Sequence, residues 1–232
     1  MYCLTLAQPD VDSIAQYEVF LRLMGDLVIM DKYRGGSQLA GNQFRQKYID
    51  HAESLFPIIA ALISDDLPDP LQLTTILEPQ LQDAEAWYGY PGRLVEWDWR
   101  TILHKFRKKP KRLDVAFYCK DVLCGLMTAS ISRGRVGINI RYVEGSPDPT
   151  HPLKRNFLYL ALWQAELFGT FSDCKRVTVS QPNPSLVESY KALGYGMVDS
   201  DLKREMKSIP PKHALLVKHL RDVAFDPPAQ LA

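Results

Sequence analysis

The side chains best suited to chemistry fall in four stretches. Glu96, Trp97, Asp98 and Trp99 set carboxylates beside an aromatic wall, which suits a cationic amine. Two tryptophans two residues apart cannot share one helical face, so one is expected in the core and the other lining a cleft. Glu144 ends an alternating segment and is followed by Asp148 and His151, three groups able to take or give a proton. The run His104 to Arg112, HKFRKKPKR, is the densest cluster of positive charge. Its plain reading is a solvated helix end; its functional readings are a phosphate, an acidic carrier protein or nucleic acid. Asn183 precedes a helical pattern and is expected to cap it. Tyr190 lies within that pattern, on one stripe with Leu186 and Leu193. Periodicity by itself assigns such a tyrosine to the core.

The elements that would hold these groups differ along the chain. The first part reads as helical: Asp10 to Ile29, then Gln43 to Ser64 after a glycine-rich break, then Leu71 to Trp87. Gly35, Gly36 and Gly41 do not form a dinucleotide-binding fingerprint. A helix is expected over the segment from Glu96 to Pro110. From Leu113 the period changes to two. Leu113 to Cys119 reads as a strand, Val122 to Ser132 as another, and Val136 to Val143 as its hairpin partner through Ser-Arg-Gly-Arg. Pro152 opens a strongly apolar helix closing near Gly169. A strand at Lys175 to Gln181, a helix at Asn183 to Leu193 and short strands at Tyr195 to Val198 and Leu202 to Ser208 follow. A helix from Pro210 ends the pattern. Its Leu216, Leu220 and Val223 would pack on the core or on a second copy in a homodimer. The expected class is α/β (α+β): a mixed, mostly antiparallel sheet flanked by helices. The expected division is 1–92 as a mainly helical extension, 93–210 as the core, and 211–232 as a final helix and tail.

This order resembles the GNAT superfamily of N-acetyltransferases over about Leu113 to Ile209. Two places carry the resemblance. One is the hairpin VLCGLMTASISRGRVGINIRYVEGSP feeding the helix PLKRNFLYLALWQAELFG. The other is NPSLVESYKALGYGMV, where Asn183 opens a helix, Tyr190 follows seven residues on, and Leu193, Gly194 and Tyr195 close it. The resemblance implies transfer of an acetyl group from acetyl-CoA to an amine of a small molecule, peptide or protein, without a metal. It implies Tyr190 as the acid for the leaving thiolate and Glu144 as the base. The amides of Tyr142 and Val143 would face the thioester carbonyl. Leu153, Lys154, Arg155 and Asn156 would hold the pyrophosphate at a helix N-terminus, with Asn183 near the pantetheine arm. The family's pyrophosphate loop carries glycines, whereas THPLKRN has none, and no glycine occurs from Thr150 through Phe168. That departure favours two further readings: a binding or regulatory protein on the same scaffold, or an acyltransferase fed by an acyl carrier protein.

Composition sets outer bounds. The 232 residues carry 28 Lys+Arg against 27 Asp+Glu, a net charge of +1 that argues against a protein built to neutralise nucleic-acid phosphates. The 46% hydrophobic content supports a real core. The four cysteines form no C-x-x-C pair, so structural zinc is not expected. No apolar run is long enough to span a bilayer and no signal peptide is evident, so a cytoplasmic location is expected.

Overall fold

The computed structural model describes residues 38–62, 67, 69–209 and 214–220. The helix expected at Asp10 to Ile29 lies outside the described residues. The first described element is helix α1, Gln38–Leu62. Tyr48, Ala52, Leu55, Phe56 and Ile59 are its buried stripe. Their spacing is the three-and-four periodicity that lays one helical face on a core. Pro57 lies inside it, on the exposed side.

Seven strands form one sheet: β1 Leu71–Thr75, β2 Arg112–Cys119, β3 Val122–Ile131, β4 Gly137–Gly145, β5 Arg176–Ser180, β6 Gly196–Met197 and β7 Leu215–His219. Their spatial order is β1-β2-β3-β4-β5-β7-β6. Every pairing is antiparallel except β4 with β5. Lys120 and Asp121, both at positive φ, turn β2 into β3. That is the twist a two-residue hairpin loop demands. Helices α2, Glu78–Glu85, and α3, Trp99–Phe106, join β1 to β2 and cover one face with Trp87, Trp99, Ile102 and Phe106. Helix α4, Phe157–Phe171, joins β4 to β5 and shares the other face with α1. Helix α5, Val187–Ala192, joins β5 to β6 behind a short 3-10 turn, and α6, Asp199–Glu205, follows β6. The fold is a mixed, mostly antiparallel α/β sheet flanked by helices, as the order of elements implies.

Four local expectations are corrected. The stretch expected as a helix from Leu71 splits into β1 and α2, and β1 pairs with β2 in full register, so the sheet begins before residue 93. The segment from Glu96 is helical only from Trp99 to Phe106. The expected strand at Leu202 to Ser208 is instead α6. Acids in its first turn and bases in its last complement the helix dipole. The expected terminal helix is, over Leu215–His219, strand β7, inserted between β5 and β6. Leu216 and Leu220 are buried in this chain's own core.

Two contacts fix the helices to the sheet. Arg45 of α1 donates to Asp114 Oδ2 at 2.7 Å, and Thr128 holds the other carboxylate oxygen at 2.7 Å. At the start of α4, the Phe157 ring fills the space in front of Gly125 and Gly145, which face each other across β3 and β4. A Cβ on Gly125 would lie 2.0 Å from Phe157 Cε2. Only glycine permits this approach of helix to strand.

Candidate active site

The parallel pairing of β4 and β5 lasts for four residues, Gly137 to Ile140 against Arg176 to Val179. β4 continues to Gly145, while β5 ends at Ser180. The register of β4 against β3 shifts between Ile140 and Tyr142, leaving Arg141 as the extra residue of a bulge. A bulge bends the strand that carries it. Beyond it β4 parts from β5, and its far edge from Arg141 to Gly145 is unpaired in the sheet. Ser180 Oγ donates to Asn139 Oδ1 at 3.0 Å, tying the strands where the gap begins.

Both parallel strands point their carboxyl ends at this gap, the usual place for a ligand in an open α/β sheet. Each is followed by a loop and a helix N-terminus, α4 after β4 and α5 after β5. The α4 end has no side-chain cap and no acid in its first turn. Lys154 and Arg155 are exposed just before it, and Asn156 is half-buried at the cap position. Leu153 is fully buried, and its carbonyl accepts the amides of Asn156 and Phe157. Asp148 accepts both the amide and the hydroxyl of Thr150 at 2.7 Å, so it shapes the loop. His151 is buried with Nδ1 unpartnered, and burial pulls its pKa below the usual imidazole value.

On the α5 side, Asn183 Oδ1 accepts from the amide of Ser185 at 3.0 Å. It is the expected N-cap, of the 3-10 turn that leads into α5. Tyr190 is buried, and burial alone pushes its phenol up to about 12. Its ring meets that of Tyr195 edge-on, with centroids 6.2 Å apart.

Glu144 has other company. Arg93 Nε donates to one of its carboxylate oxygens at 2.6 Å, and Arg93 Nη2 reaches the other at 3.2 Å. Trp99 Nε1 donates to that second oxygen at 2.7 Å. Arg93 also donates to the carbonyl of Trp97 at 2.7 Å, so Glu144 pins the segment between α2 and α3 onto β4. Trp99 is core, while Trp97 is half-buried with its ring 4.9 Å from that of Tyr142. Trp99 is thus the core member of the pair, as expected, and Trp97 packs half-buried against Tyr142. Asp98 caps α3 through the amides of Arg100 and Thr101.

Two groups of partners had no sequence signal of their own: Arg93 with Glu144, and Glu166 with Tyr195 and Lys218. The buried cysteines 119, 124 and 174 all have thiols raised by burial, Cys124 and Cys174 to about 11, which disfavours thiolate chemistry. No group of three or more candidate metal ligands occurs among the described residues. No described helix is long and apolar enough to cross a membrane.

No family model matches the sequence, and no curated protein matches it in sequence. Among solved structures, the chain is similar to the PaiA N-acetyltransferase of Thermoplasma acidophilum in complex with coenzyme A. That pair has 14% identity and a TM-score of 0.44, covering 64% of this chain and 98% of that one. It is also similar to the aminoglycoside 6'-N-acetyltransferase of Enterococcus faecium (13% identity, TM-score 0.45, 64% and 96% covered). A third likeness is to N-acetylglutamate synthase of Neisseria gonorrhoeae with coenzyme A and N-acetyl-glutamate. There identity is 13% and the TM-score 0.43, with 65% of this chain and 35% of that one covered.

Proposed function

We propose that this protein is an acetyl-CoA-dependent N-acetyltransferase that acts on an amine of a small molecule, peptide or protein. The observation that carries the reading is the gap between β4 and β5. It is floored by an unpaired strand edge and ends at two helix N-termini. The free edge from Arg141 offers main-chain groups to the two amides of the pantetheine arm, and the amides near Tyr142 and Val143 are the donors for the thioester carbonyl. The uncapped start of α4, with Lys154, Arg155 and Asn156, suits the pyrophosphate. Leu153 supports that turn from the core. Asn183 fixes the turn that aims α5.

The chemistry is direct transfer. A neutral amine attacks the thioester carbonyl; the C–N bond forms, the C–S bond breaks, and CoA leaves as a thiolate. Tyr190 gives that thiolate its phenolic proton. The surplus proton on nitrogen passes to water, and water returns one to the phenolate. The resemblance assigned Glu144 the base role. Its carboxylate, held on both oxygens by Arg93 and Trp99, supports a different assignment: holding the segment that carries Trp97 beside Tyr142.

Calorimetry and thermal-shift measurement of the full chain with acetyl-CoA test the reading. Heat and a raised melting temperature are expected. Neither heat nor shift with acetyl-CoA or longer acyl-CoAs overturns it and leaves a non-catalytic binding protein. Binding of an acylated carrier protein without binding of CoA thioesters replaces CoA as donor.

A further inference from the structure

Glu166 lies in the middle of α4, the most apolar of the described helices, and is almost fully buried. Its carboxylate accepts the hydroxyl of Tyr195 at 2.9 Å. Lys218 of β7 donates to both carboxylate oxygens, at 3.0 and 2.8 Å. Its ammonium also sits 5.6 Å from the centroid of the Tyr195 ring. Tyr195 is thus held at its hydroxyl by α4, while the β7 lysine fixes that carboxylate and lies over the ring. The Lys218 stem runs beside Gly194, which takes φ +86°; a Cβ there would lie 3.4 Å from Lys218 Cε. A buried ion pair of this kind contributes little net stability over an apolar replacement, and fixing one arrangement is a use that offsets its desolvation.

The arrangement it fixes is that of Tyr190. The Tyr195 ring stands edge-on to the Tyr190 ring at 70°. The Tyr195 amide donates to the Tyr190 carbonyl at 3.1 Å, closing α5. Among the described residues, burial is the one cause that shifts the Tyr190 phenol, and its ring packs on that of Tyr195. Its direction is therefore set by packing, and the packing partner is itself anchored.

We propose that Tyr195, clamped by Glu166 and Lys218, is a positioning residue that aims the Tyr190 hydroxyl at the sulfur of the bound CoA. This rests on the acyl-CoA reading above and on Tyr190 as the acid. It predicts that losing the Tyr195 hydroxyl matters only while Tyr190 has a hydroxyl to aim.

A double-mutant cycle read by calorimetry tests it without an acceptor. The probes are CoA and desulfo-CoA, which differ only at the sulfur. In the wild-type chain CoA binds about fivefold more tightly, the worth of one net hydrogen bond. Tyr190→Phe abolishes that preference. Tyr195→Phe, which leaves Glu166 paired with Lys218, also abolishes most of it while leaving desulfo-CoA affinity unchanged. In the Tyr190→Phe background Tyr195→Phe changes nothing further. Should Tyr195→Phe fail to fold, Glu166→Asp, which keeps the charge and shortens the reach, gives the same pattern. Absence of CoA binding by the wild type, or an unchanged preference in Tyr190→Phe, overturns the underlying reading. A preference lost in Tyr190→Phe but kept in Tyr195→Phe and Glu166→Asp overturns the positioning role alone.

Discussion

Arg93 and Glu144, 51 residues apart in sequence, meet in a buried two-pronged ion pair, with side chains 8% and 4% exposed. The pair joins an irregular segment to the strand that forms one wall of the gap. Removing one partner strands the other charge without water, a loss of about 3–5 kcal/mol. Arg93→Ala is expected to lower the unfolding free energy by that order in denaturant titration. Glu144→Gln separates two roles. As an anchor, Glu144 loses stability with the substitution, and turnover by the folded enzyme changes little. Turnover that collapses in a fully stable Glu144→Gln protein would restore the base.

Gly125→Ala should harm both stability and donor binding. The new methyl has no room beside Phe157, so the first turn of α4 must shift or the ring must leave. Overpacking of this kind costs about 1–3 kcal/mol. Because the same turn carries the proposed pyrophosphate site, acetyl-CoA affinity should fall as well. A stable variant with full affinity would show that the turn does not depend on this contact.

Tyr190→Phe is expected to reduce turnover about 100-fold with little change in acetyl-CoA affinity. Burial holds the phenol at about 12, so it stays protonated across the neutral range and well above it. The wild-type rate should therefore show no descending limb from this group up to about pH 10. An unaltered turnover number in Tyr190→Phe removes the residue from the mechanism.

Acid should weaken the fold below the ordinary imidazole pKa of about 6.5. His51 and His151 both have lowered pKa values, burial being the main cause. Among charged neighbours, Lys47 lowers His51 further, while at His151 Lys154 lowers and Asp148 raises. The unfolded chain then binds more protons than the folded one, so stability rises with pH through this window. It is fully present above the unfolded value and lost as pH falls toward the folded one. Melting temperatures at pH 7.5 and 5.5 measure the drop. A His51→Asn, His151→Asn variant should show a smaller one.

Much of the sheet was legible because polar and apolar residues alternate along β3 and β4, although β3 is buried on both faces. The β3–β4 hairpin, the apolar α4 and the Asn183 cap all follow from local pattern. β7 was not legible. Its Leu216 and Lys218 share one face, and a lysine at an inward position breaks the alternation. Only Glu166, far away in sequence, makes that lysine sensible. β1 is five residues long, too short for periodicity to separate from a helix. At the site, the burial of Tyr190 and the cap at Asn183 were readable from spacing. The partners of Glu144 were not, since Arg93 lies in an irregular turn-rich segment with no period to mark it.

The insertion of β7 between β5 and β6 also bears on how the chain is made. Synthesis delivers β5, α5 and β6 before the strand that pairs with both. Until Leu215 to His219 arrive, β5 keeps one open edge, β6 has no partner, and Glu166 lacks its lysine. The packing around Tyr190 and Tyr195 is thus completed only once β7 has emerged, and a nascent chain arrested before residue 215 would expose a sticky strand edge to chaperones or to another copy.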